Sequence, residues 1–207
     1  MSPAHPLLGK RAPTITLPNQ DGEQVTIEPG KTGTPLAVFF YPESGTFGCT
    51  KEACSFRDAL KDSEIFNRSQ IQIVGISGDD VPKQKKFVDQ HGLSYPILSD
   101  RTGVARKAYE VKRGMLGMTE GRVTYFITSD GIVKDVYSSV INYNDHVKFV
   151  RKILEVEEKE KEKDNKERRV NSTQASTEVV GQDPVPSAAE NENAMATEGA
   201  ASGTGNQ

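Results

Sequence analysis

The chain has 207 residues, a formal net charge of −3 and an apolar fraction of 35%, which is low for a chain that folds along its whole length. All 26 Lys and Arg residues and 24 of the 29 acidic residues lie in residues 1–169. Neither this segment nor residues 170–207 therefore has the strong positive charge expected of a nucleic-acid-binding protein. No run of about 18 apolar residues predicts a membrane span, and the first residues lack the apolar core of a secretory signal. We therefore expect a protein of the cytoplasm, the nucleus or both, with neither a nucleic-acid nor a membrane partner.

Strand-like and helix-like patterns alternate along residues 14–155. Strands are predicted where apolar and β-branched residues run between turn residues, and helices where apolar residues recur every three or four positions. In chain order these elements are strands at 14–17, 24–27 and 35–41, a helix at 50–67, a strand at 71–77, a helix at 81–92, a strand at 95–100, a helix at 102–111, strands at 123–128 and 132–138, and a helix at 144–155. The alternation predicts an α/β fold in a single domain over residues 1–156.

The remaining residues have a different composition. Residues 157–169 are almost entirely charged, with Glu and Lys at the i,i+4 spacing that supports a solvent-exposed helical extension. An alternative reading is a nuclear-targeting signal built on Lys166, Arg168 and Arg169, although glutamates dilute this basic run. Residues 170–207 are rich in Ser, Thr, Ala, Gly and Asn and carry five acidic residues, so we predict a disordered acidic tail.

Both cysteines of the chain, Cys49 and Cys54, lie close together after the predicted strand 35–41. In an intracellular protein thiols are kept reduced, so a close pair is more often reactive than structural. Cys49 falls at the predicted beginning of a helix, where unpaired backbone N–H groups and the positive end of the helix dipole favour a thiolate. Cys49 is therefore the candidate nucleophile.

The spacing of the two cysteines limits how they can react with each other. Five residues of an α-helix separate two Cα atoms by roughly 8–9 Å, whereas a disulfide needs Cα atoms within about 7 Å. Cys49 and Cys54 therefore cannot form a disulfide unless the beginning of the helix unwinds. A bond that requires this change is a poor structural staple and is consistent with a catalytic pair.

Other kinds of thiol chemistry fit the sequence less well. The spacing is not C-x-x-C, and a structural zinc site usually needs four ligands in close pairs. His5, His91 and His146 are scattered along the chain, and the last two fall on predicted helices that we expect to lie far from the strand ends. These positions argue against a metal site and against a cysteine–histidine protease dyad. No metal or other cofactor is predicted.

Several short motifs together resemble those of one known family. Pro42-x-x-x-Thr46-x-x-Cys49 matches the active-site motif of the peroxiredoxins, and further matching segments are GCTKEACSFRD, IVGISGD, YPILSD and GRVTYFIT. Over residues 7–154 the chain resembles the bacterioferritin comigratory protein or peroxiredoxin Q subfamily, including its fungal nuclear thiol-peroxidase branch. The resemblance implies a thioredoxin-like fold, a central mixed sheet flanked by helices, with an N-terminal β extension. One departure is Phe47, which stands where the subfamily usually has Pro.

The resemblance also implies a role for each matching residue. Cys49 would attack the peroxide and become a sulfenic acid, which Cys54 would resolve to an intramolecular disulfide. Arg122 would hold the thiolate and the departing oxygen, Thr46 would bind the peroxide through its hydroxyl group, and Pro42 would shield the thiolate from water. The residues alone leave simpler roles open: a surface ion pair for Arg122, a helix N-cap for Thr46, a strand terminator for Pro42 and a buried apolar position for Cys54.

We therefore expect a thiol-dependent peroxidase that reduces hydrogen peroxide and organic hydroperoxides and is recycled by thioredoxin. A resolving cysteine in the same chain requires no second subunit, so we expect a monomer. Two alternatives remain at this stage. The same cysteine pair could belong to a peroxide-sensing redox switch or to an interaction protein, or the thiols of a thioredoxin-fold protein could be inert.

Overall fold

A computed structural model describes residues 4–113 and 120–177, with side chains described through residue 169. Its elements are β1 Ile15–Pro18, β2 Gln24–Ile27, β3 Leu36–Phe40, α1 Phe47–Asp62, α2 Glu64–Ser69, β4 Gln72–Ser77, α3 Val81–His91, β5 Ile97–Ser99, α4 Val104–Ala108, β6 Val123–Ile127, β7 Val133–Ser138 and α5 Asp145–Thr177. Contacts divide the chain into two units, residues 1–163 and residues 164–207. No helix within the described residues is both long and apolar enough to cross a membrane.

The five main strands form one mixed sheet in the order β5-β4-β3-β6-β7. β3, β4 and β5 are parallel, whereas β6 runs antiparallel to both β3 and β7. β1 and β2 form a separate antiparallel hairpin, the predicted N-terminal β extension. The central strand β3 is buried along its whole length, as its uninterrupted apolar sequence predicts.

The two faces of the sheet are covered by different elements. Ala37 and Phe39 of β3 point into a core that contains buried residues of α1, α3 and α5. Val38 and Phe40 point into the opposite core, which contains residues of α4 and β1. Phe39 stacks on Phe56 of α1 with ring centroids 4.8 Å apart, which fixes α1 against the sheet. Helices on both faces of a mixed sheet are the architecture that the thioredoxin-like prediction requires.

The antiparallel pairing of β3 and β6 determines where the candidate site residues meet. Phe40, the last residue of β3, pairs with Val123, the first residue of β6. The loop that leads from β3 into α1 therefore lies beside the chain entering β6. Cys49 on α1 and Arg122 before β6 are 73 residues apart in sequence, and this register brings them to the same end of the sheet.

Two helix boundaries differ from the prediction. The single helix predicted at 50–67 begins earlier, at Phe47, and is divided at Ser63, whose extended backbone ends α1 and precedes α2. The break turns the chain so that Ile65 and Phe66 of α2 join the core. Apolar periodicity continues across it, which is why the sequence pattern did not reveal it.

The last helix extends beyond the predicted boundary. α5 continues through Thr177, so the boundary predicted after residue 169 is wrong for residues 170–177, whose backbone is helical. Glu157 and Glu158 are less exposed to solvent than predicted. They form ion pairs with Lys134 and Arg68, respectively, at 3.0 Å and 3.1 Å. The predicted disorder of residues 178–207 lies outside the described residues and stays a prediction.

Candidate active site

Cys49 lies in the first turn of α1, as predicted. The helix begins at Phe47, so Cys49 is its third residue, and the backbone N–H groups of this turn have no partner within the helix. The side chain is almost completely buried, with 1% of its surface exposed. A buried sulfur beside unpaired N–H groups and the positive end of a helix dipole is in an environment that favours negative charge.

The loop before α1 is fixed by hydrogen bonds to neighbouring elements. Asp79, after β4, accepts a hydrogen bond from the backbone N–H of Ser44 at 2.6 Å. The hydroxyl groups of Tyr41 and Ser44 are 2.9 Å apart, and Arg106 donates to the carbonyl oxygen of Tyr41 at 2.6 Å. These contacts give the first turn of α1, and with it the sulfur of Cys49, a defined position over the end of the sheet.

Arg122 contacts three separate groups. Its Nη2 donates to Sγ of Cys49 at 3.2 Å, its Nε donates to the carbonyl oxygen of Val140 at 3.2 Å, and its Nη1 donates to Oε2 of Glu52. The side chain is 4% exposed, so these contacts are largely shielded from water. The surface ion pair considered as an alternative for Arg122 is therefore wrong. A rigid guanidinium can make all three contacts at once, whereas a lysine ammonium cannot reproduce their planar arrangement.

A second layer of buried polar groups lies behind Arg122. Glu52 of α1 is fully buried, and its Oε1 lies 3.4 Å from Nδ1 of His146 in the first turn of α5. His146 is also fully buried, with Nδ1 2.8 Å from Oγ1 of Thr124 and Nε2 3.0 Å from the carbonyl oxygen of Ser139. Burial raises the pKa of Glu52 to about 8, although Arg122 opposes this effect, and burial lowers the pKa of His146 to about 4.

The sequence did not predict this second layer. His146 was expected far from the strand ends, and this expectation is wrong, because α5 begins beside Thr124 of β6. Glu52 was not singled out, although it lies three residues after Cys49 and therefore on the same side of a helix. This i,i+3 relation was the available signal for Glu52. No comparable signal marks His146, which is 94 residues away from Glu52 in sequence.

Thr46 and Pro42 both lie on the loop that precedes α1. Thr46 occupies the N-cap position of α1, but its side chain makes no capping hydrogen bond and instead donates to the carbonyl oxygen of Glu43 at 3.1 Å. Thr46 is an exposed residue, and its hydroxyl oxygen, which donates its hydrogen to Glu43, can still accept a hydrogen bond. Pro42 is half-buried and lines a surface cavity of about 510 Å³ together with Asp79 and Arg106.

Phe47 and Gly48 border the site from the solvent side. Phe47 is 70% exposed, and its ring meets that of Tyr143 edge to face at 5.9 Å. A β-carbon on Gly48 would lie 3.1 Å from Cδ1 of Tyr143 and 3.3 Å from Nη2 of Arg122. Glycine thus allows the aromatic ring and the guanidinium to approach the first turn of α1 together. Phe47 begins the helix without the backbone constraint that proline would supply at this position.

Cys54 lies further along the same helix. It is a free thiol like Cys49, and α1 is continuous between the two residues, as the sequence predicted. Unlike Cys49, Cys54 is partly exposed and lines a surface cavity of about 520 Å³ beside Arg57 and Tyr143. Cys54 is therefore reachable from solvent, but not by Cys49 while α1 stays intact.

Fold and site together define a class of protein: a thioredoxin-like domain with one buried cysteine at a helix N-terminus, held by an arginine, and a second cysteine on the same helix. Residues 8–136 match the model of the AhpC/TSA family, and the chain belongs to this family. Chloroplastic peroxiredoxin Q of Oryza sativa subsp. japonica is 37% identical over 147 residues, which are 71% of this chain and 66% of the relative. The chain thus spans just under two thirds of that relative's length.

Solved structures agree with this assignment. Peroxidoxin BcpB from Mycobacterium tuberculosis is 37% identical, with a TM-score of 0.63 over 72% of this chain and 96% of that chain. Peroxiredoxin Q from Xanthomonas campestris is 26% identical, with a TM-score of 0.60 over 69% and 90% of the two chains. The thioredoxin-like fold and the peroxiredoxin Q or bacterioferritin comigratory protein subfamily are thereby confirmed. The fungal nuclear branch stays a prediction.

The raised pKa of Glu52 predicts how the stability of the reduced protein depends on pH. Between about pH 6.5 and 8 the unfolded chain has already released the proton of Glu52 and loses the remainder of that of His146, whereas the folded protein still holds most of the Glu52 proton because burial raises the pKa of this group to about 8. The free energy of unfolding therefore falls as the pH rises, by up to about 1.4 kcal/mol per pH unit from this group. Urea denaturation at several pH values measures this slope.

In Glu52→Gln this contribution should be absent, so the slope of the free energy of unfolding between pH 6.5 and 8 should be less negative than that of the wild type. Glu120→Gln is the matched control, because Glu120 also pairs with arginines but is 37% exposed. Its slope should equal that of the wild type. Equal slopes for wild type and Glu52→Gln would contradict the assignment.

Proposed function

We propose that this protein is a thiol-dependent peroxidase that reduces hydrogen peroxide and organic hydroperoxides. The observation that carries the proposal is the 3.2 Å contact between Nη2 of Arg122 and Sγ of Cys49 at the beginning of α1. This contact places a permanent positive charge against a sulfur that must be ionised to attack. The names of the relatives, peroxiredoxin Q and peroxidoxin, support the same activity.

The reaction begins with attack of the Cys49 thiolate on the peroxide oxygen that carries hydrogen. A sulfur–oxygen bond forms and the oxygen–oxygen bond breaks, so the sulfur is oxidised by two electrons to a sulfenic acid and the peroxide is reduced by two electrons. The other oxygen leaves as hydroxide or alkoxide and takes up a proton. Negative charge moves from sulfur to the leaving oxygen, and Arg122 and the N–H groups of the first turn of α1 stabilise that movement.

The loop residues position the peroxide. The hydroxyl proton of Thr46 is donated to the carbonyl oxygen of Glu43, so the Thr46 oxygen serves the peroxide as an acceptor of its O–H group. In this proposal Thr46 therefore accepts a hydrogen bond from the peroxide and does not donate one to it. Pro42, at the exit from β3, restricts the approach of water to the site. Both roles extend the sequence resemblance and are tested by the kinetics of Thr46→Val and Pro42→Ala.

The second step requires α1 to unwind at its beginning. Cys54 then attacks the sulfenic sulfur of Cys49, a disulfide forms, and the sulfenic oxygen leaves as water. Two buried contacts hold the helix closed between the cysteines: the pair of Glu52 with Arg122, and a hydrogen bond of 2.7 Å from the Tyr95 hydroxyl to the carbonyl oxygen of Ala53. Unwinding through Ala53 breaks both.

Thioredoxin is the proposed reductant of the resulting disulfide. Cys54 is partly exposed at a surface cavity, whereas Cys49 is buried, so the unwound and oxidised helix must present the disulfide to an external dithiol.

We also propose, as the sequence predicts, that the protein is a monomer located in the cytoplasm, the nucleus or both. The named plant relatives are chloroplastic.

Peroxide consumption coupled to thioredoxin tests this function. The wild type should turn over continuously, and Cys49→Ser should be inactive because it lacks the attacking sulfur. Cys54→Ser should consume one equivalent of peroxide per molecule and then fail to recycle efficiently. A protein that uses the same cysteines only as a peroxide sensor would oxidise stoichiometrically and turn over slowly even as the wild type, and that result would reject the peroxidase proposal.

Tyr95 provides a test of the unwinding step. Removing its hydroxyl in Tyr95→Phe deletes one buried hydrogen bond, worth about 1 kcal/mol, from the closed helix only. We expect formation of the Cys49–Cys54 disulfide after sulfenic acid formation to accelerate about five-fold. Stopped-flow mixing with peroxide separates the two steps. An unchanged rate of the second step, with the first step intact, would show that this contact does not control unwinding.

A further inference from the structure

One buried oxygen of the site has no hydrogen-bond partner. Among the described residues, Oε1 of Glu52 receives no hydrogen bond, whereas Oε2 of the same carboxyl group accepts from Arg122. The side chain is fully buried, so water does not satisfy Oε1 from the surface. Nδ1 of His146 lies 3.4 Å from Oε1. An unpaired buried acceptor of this kind is costly and requires an explanation.

The hydrogen bonds of His146 show which of its ring nitrogens faces Glu52. Nε2 lies 3.0 Å from the carbonyl oxygen of Ser139, which can only accept, so Nε2 carries a hydrogen. In a neutral ring Nδ1 is then an acceptor, and it faces Oε1 of Glu52. Two acceptors would thus oppose each other in a buried space. A single proton on either atom removes this conflict, and the Thr124 hydroxyl, which can donate or accept, fits both positions.

The net charge of the buried groups is a second, independent reason to expect a proton on Glu52 or His146. Arg122 is the positively charged group in direct contact with both Cys49 and Glu52. With a Cys49 thiolate and a Glu52 carboxylate, the buried cluster would have a net charge of −1 around one guanidinium. Buried net charge is strongly unfavourable. A proton held by Glu52 and His146 makes the cluster neutral while Cys49 is a thiolate.

We propose that Oε1 of Glu52 and Nδ1 of His146 share one proton in the reduced protein, and that the pair releases this proton when Cys49 is oxidised. The proposal rests on the proposed peroxidase function and assigns Glu52 and His146 to it as positioning residues that act through Arg122. Oxidation removes the negative charge from Cys49, so Arg122 becomes free to pair with an ionised Glu52.

The electrostatic surroundings place the shared proton on Glu52. Burial raises the pKa of Glu52 to about 8 and lowers that of His146 to about 4, so at neutral pH the carboxyl group holds the proton and the imidazole is neutral. The titratable and charged groups that face the pair come from every element packed against it: Cys49 of α1, Arg122 before β6, Tyr95 before β5, Tyr137 of β7 and Asp145 at the start of α5.

The chemical balance of the first step includes this proton. A thiolate, a hydroperoxide and the protonated pair give a sulfenic acid, an alcohol or water, and the ionised pair. The S–O bond replaces the O–O bond, two electrons pass from sulfur to peroxide, and the proton lost by the pair equals the proton gained by the leaving oxygen. The buried cluster is neutral before and after the reaction, so no unpaired charge is left in the site.

Infrared spectroscopy tests the reduced state directly. A protonated carboxyl group absorbs at a higher frequency than a carboxylate, and few carboxyl groups stay protonated at neutral pH. The difference spectrum between reduced wild type and Glu52→Gln should show one such band, whereas that between wild type and Glu120→Gln should show none. Absence of the band from the first spectrum would overturn the proposal.

A second measurement uses the wild-type sequence, so its result does not depend on whether Glu52→Gln folds normally. The band of reduced wild type should move to lower frequency when the protein is made with glutamate that carries a heavy carbon isotope in its side-chain carboxyl group. A band that stays in place does not come from glutamate and would contradict the assignment. In His146→Gln the band should shift to a different frequency, because the carboxyl group loses its partner.

Oxidation of Cys54→Ser by peroxide tests the release, because this variant stops at the sulfenic acid, which a trapping reagent quantifies separately. The carboxyl band should disappear in proportion to the sulfenic acid formed. If sulfenic acid forms and the band persists, the coupling is refuted while the peroxidase function stands. If no sulfenic acid forms, the peroxidase function itself fails, and with it the oxidation-linked release.

Discussion

The active site depends on one buried guanidinium. Arg122 lies where the beginning of β6 meets the loop after β3, and its nitrogens contact the sulfur of Cys49, the carboxyl group of Glu52 and the backbone carbonyl of Val140. It therefore ties α1 to the sheet and to the segment that leads into α5. One positive charge therefore faces both the sulfur of Cys49 and the carboxyl group of Glu52.

This arrangement serves two opposite requirements of the proposed reaction. Attack on the peroxide needs a closed α1, because the first turn supplies the N–H groups and holds the sulfur beside Arg122. Disulfide formation needs the same turns to open, because Cys54 is too far along the helix. The contacts of Glu52 and Ala53 that close the helix between the cysteines are polar, whereas Phe56 anchors the later turns by stacking on Phe39. Opening can thus be confined to the beginning of α1.

The sequence predicted what short motifs and periodicity encode. The order of strands and helices, the position of Cys49 at a helix beginning and the meeting of Cys49 with Arg122 all follow from local patterns or from the family motif. Glu52 and His146 were missed because their meaning depends on complete burial and on a contact across 94 residues, which no local pattern reports. The break at Ser63 and the helical residues 170–177 were missed because apolar periodicity and composition do not fix helix ends.

We propose that Arg122 activates Cys49 through the planar arrangement of its three hydrogen bonds as well as through its charge. The most direct measurement is the second-order rate constant for oxidation of Cys49 by hydrogen peroxide in Arg122→Lys, followed by stopped flow, with circular dichroism to verify the fold. Lysine keeps the charge but cannot hold sulfur, carboxyl group and carbonyl together, so the rate constant should fall by roughly 10²–10³-fold. A folded Arg122→Lys protein that reacts at close to the wild-type rate would show that positive charge alone is sufficient to activate Cys49.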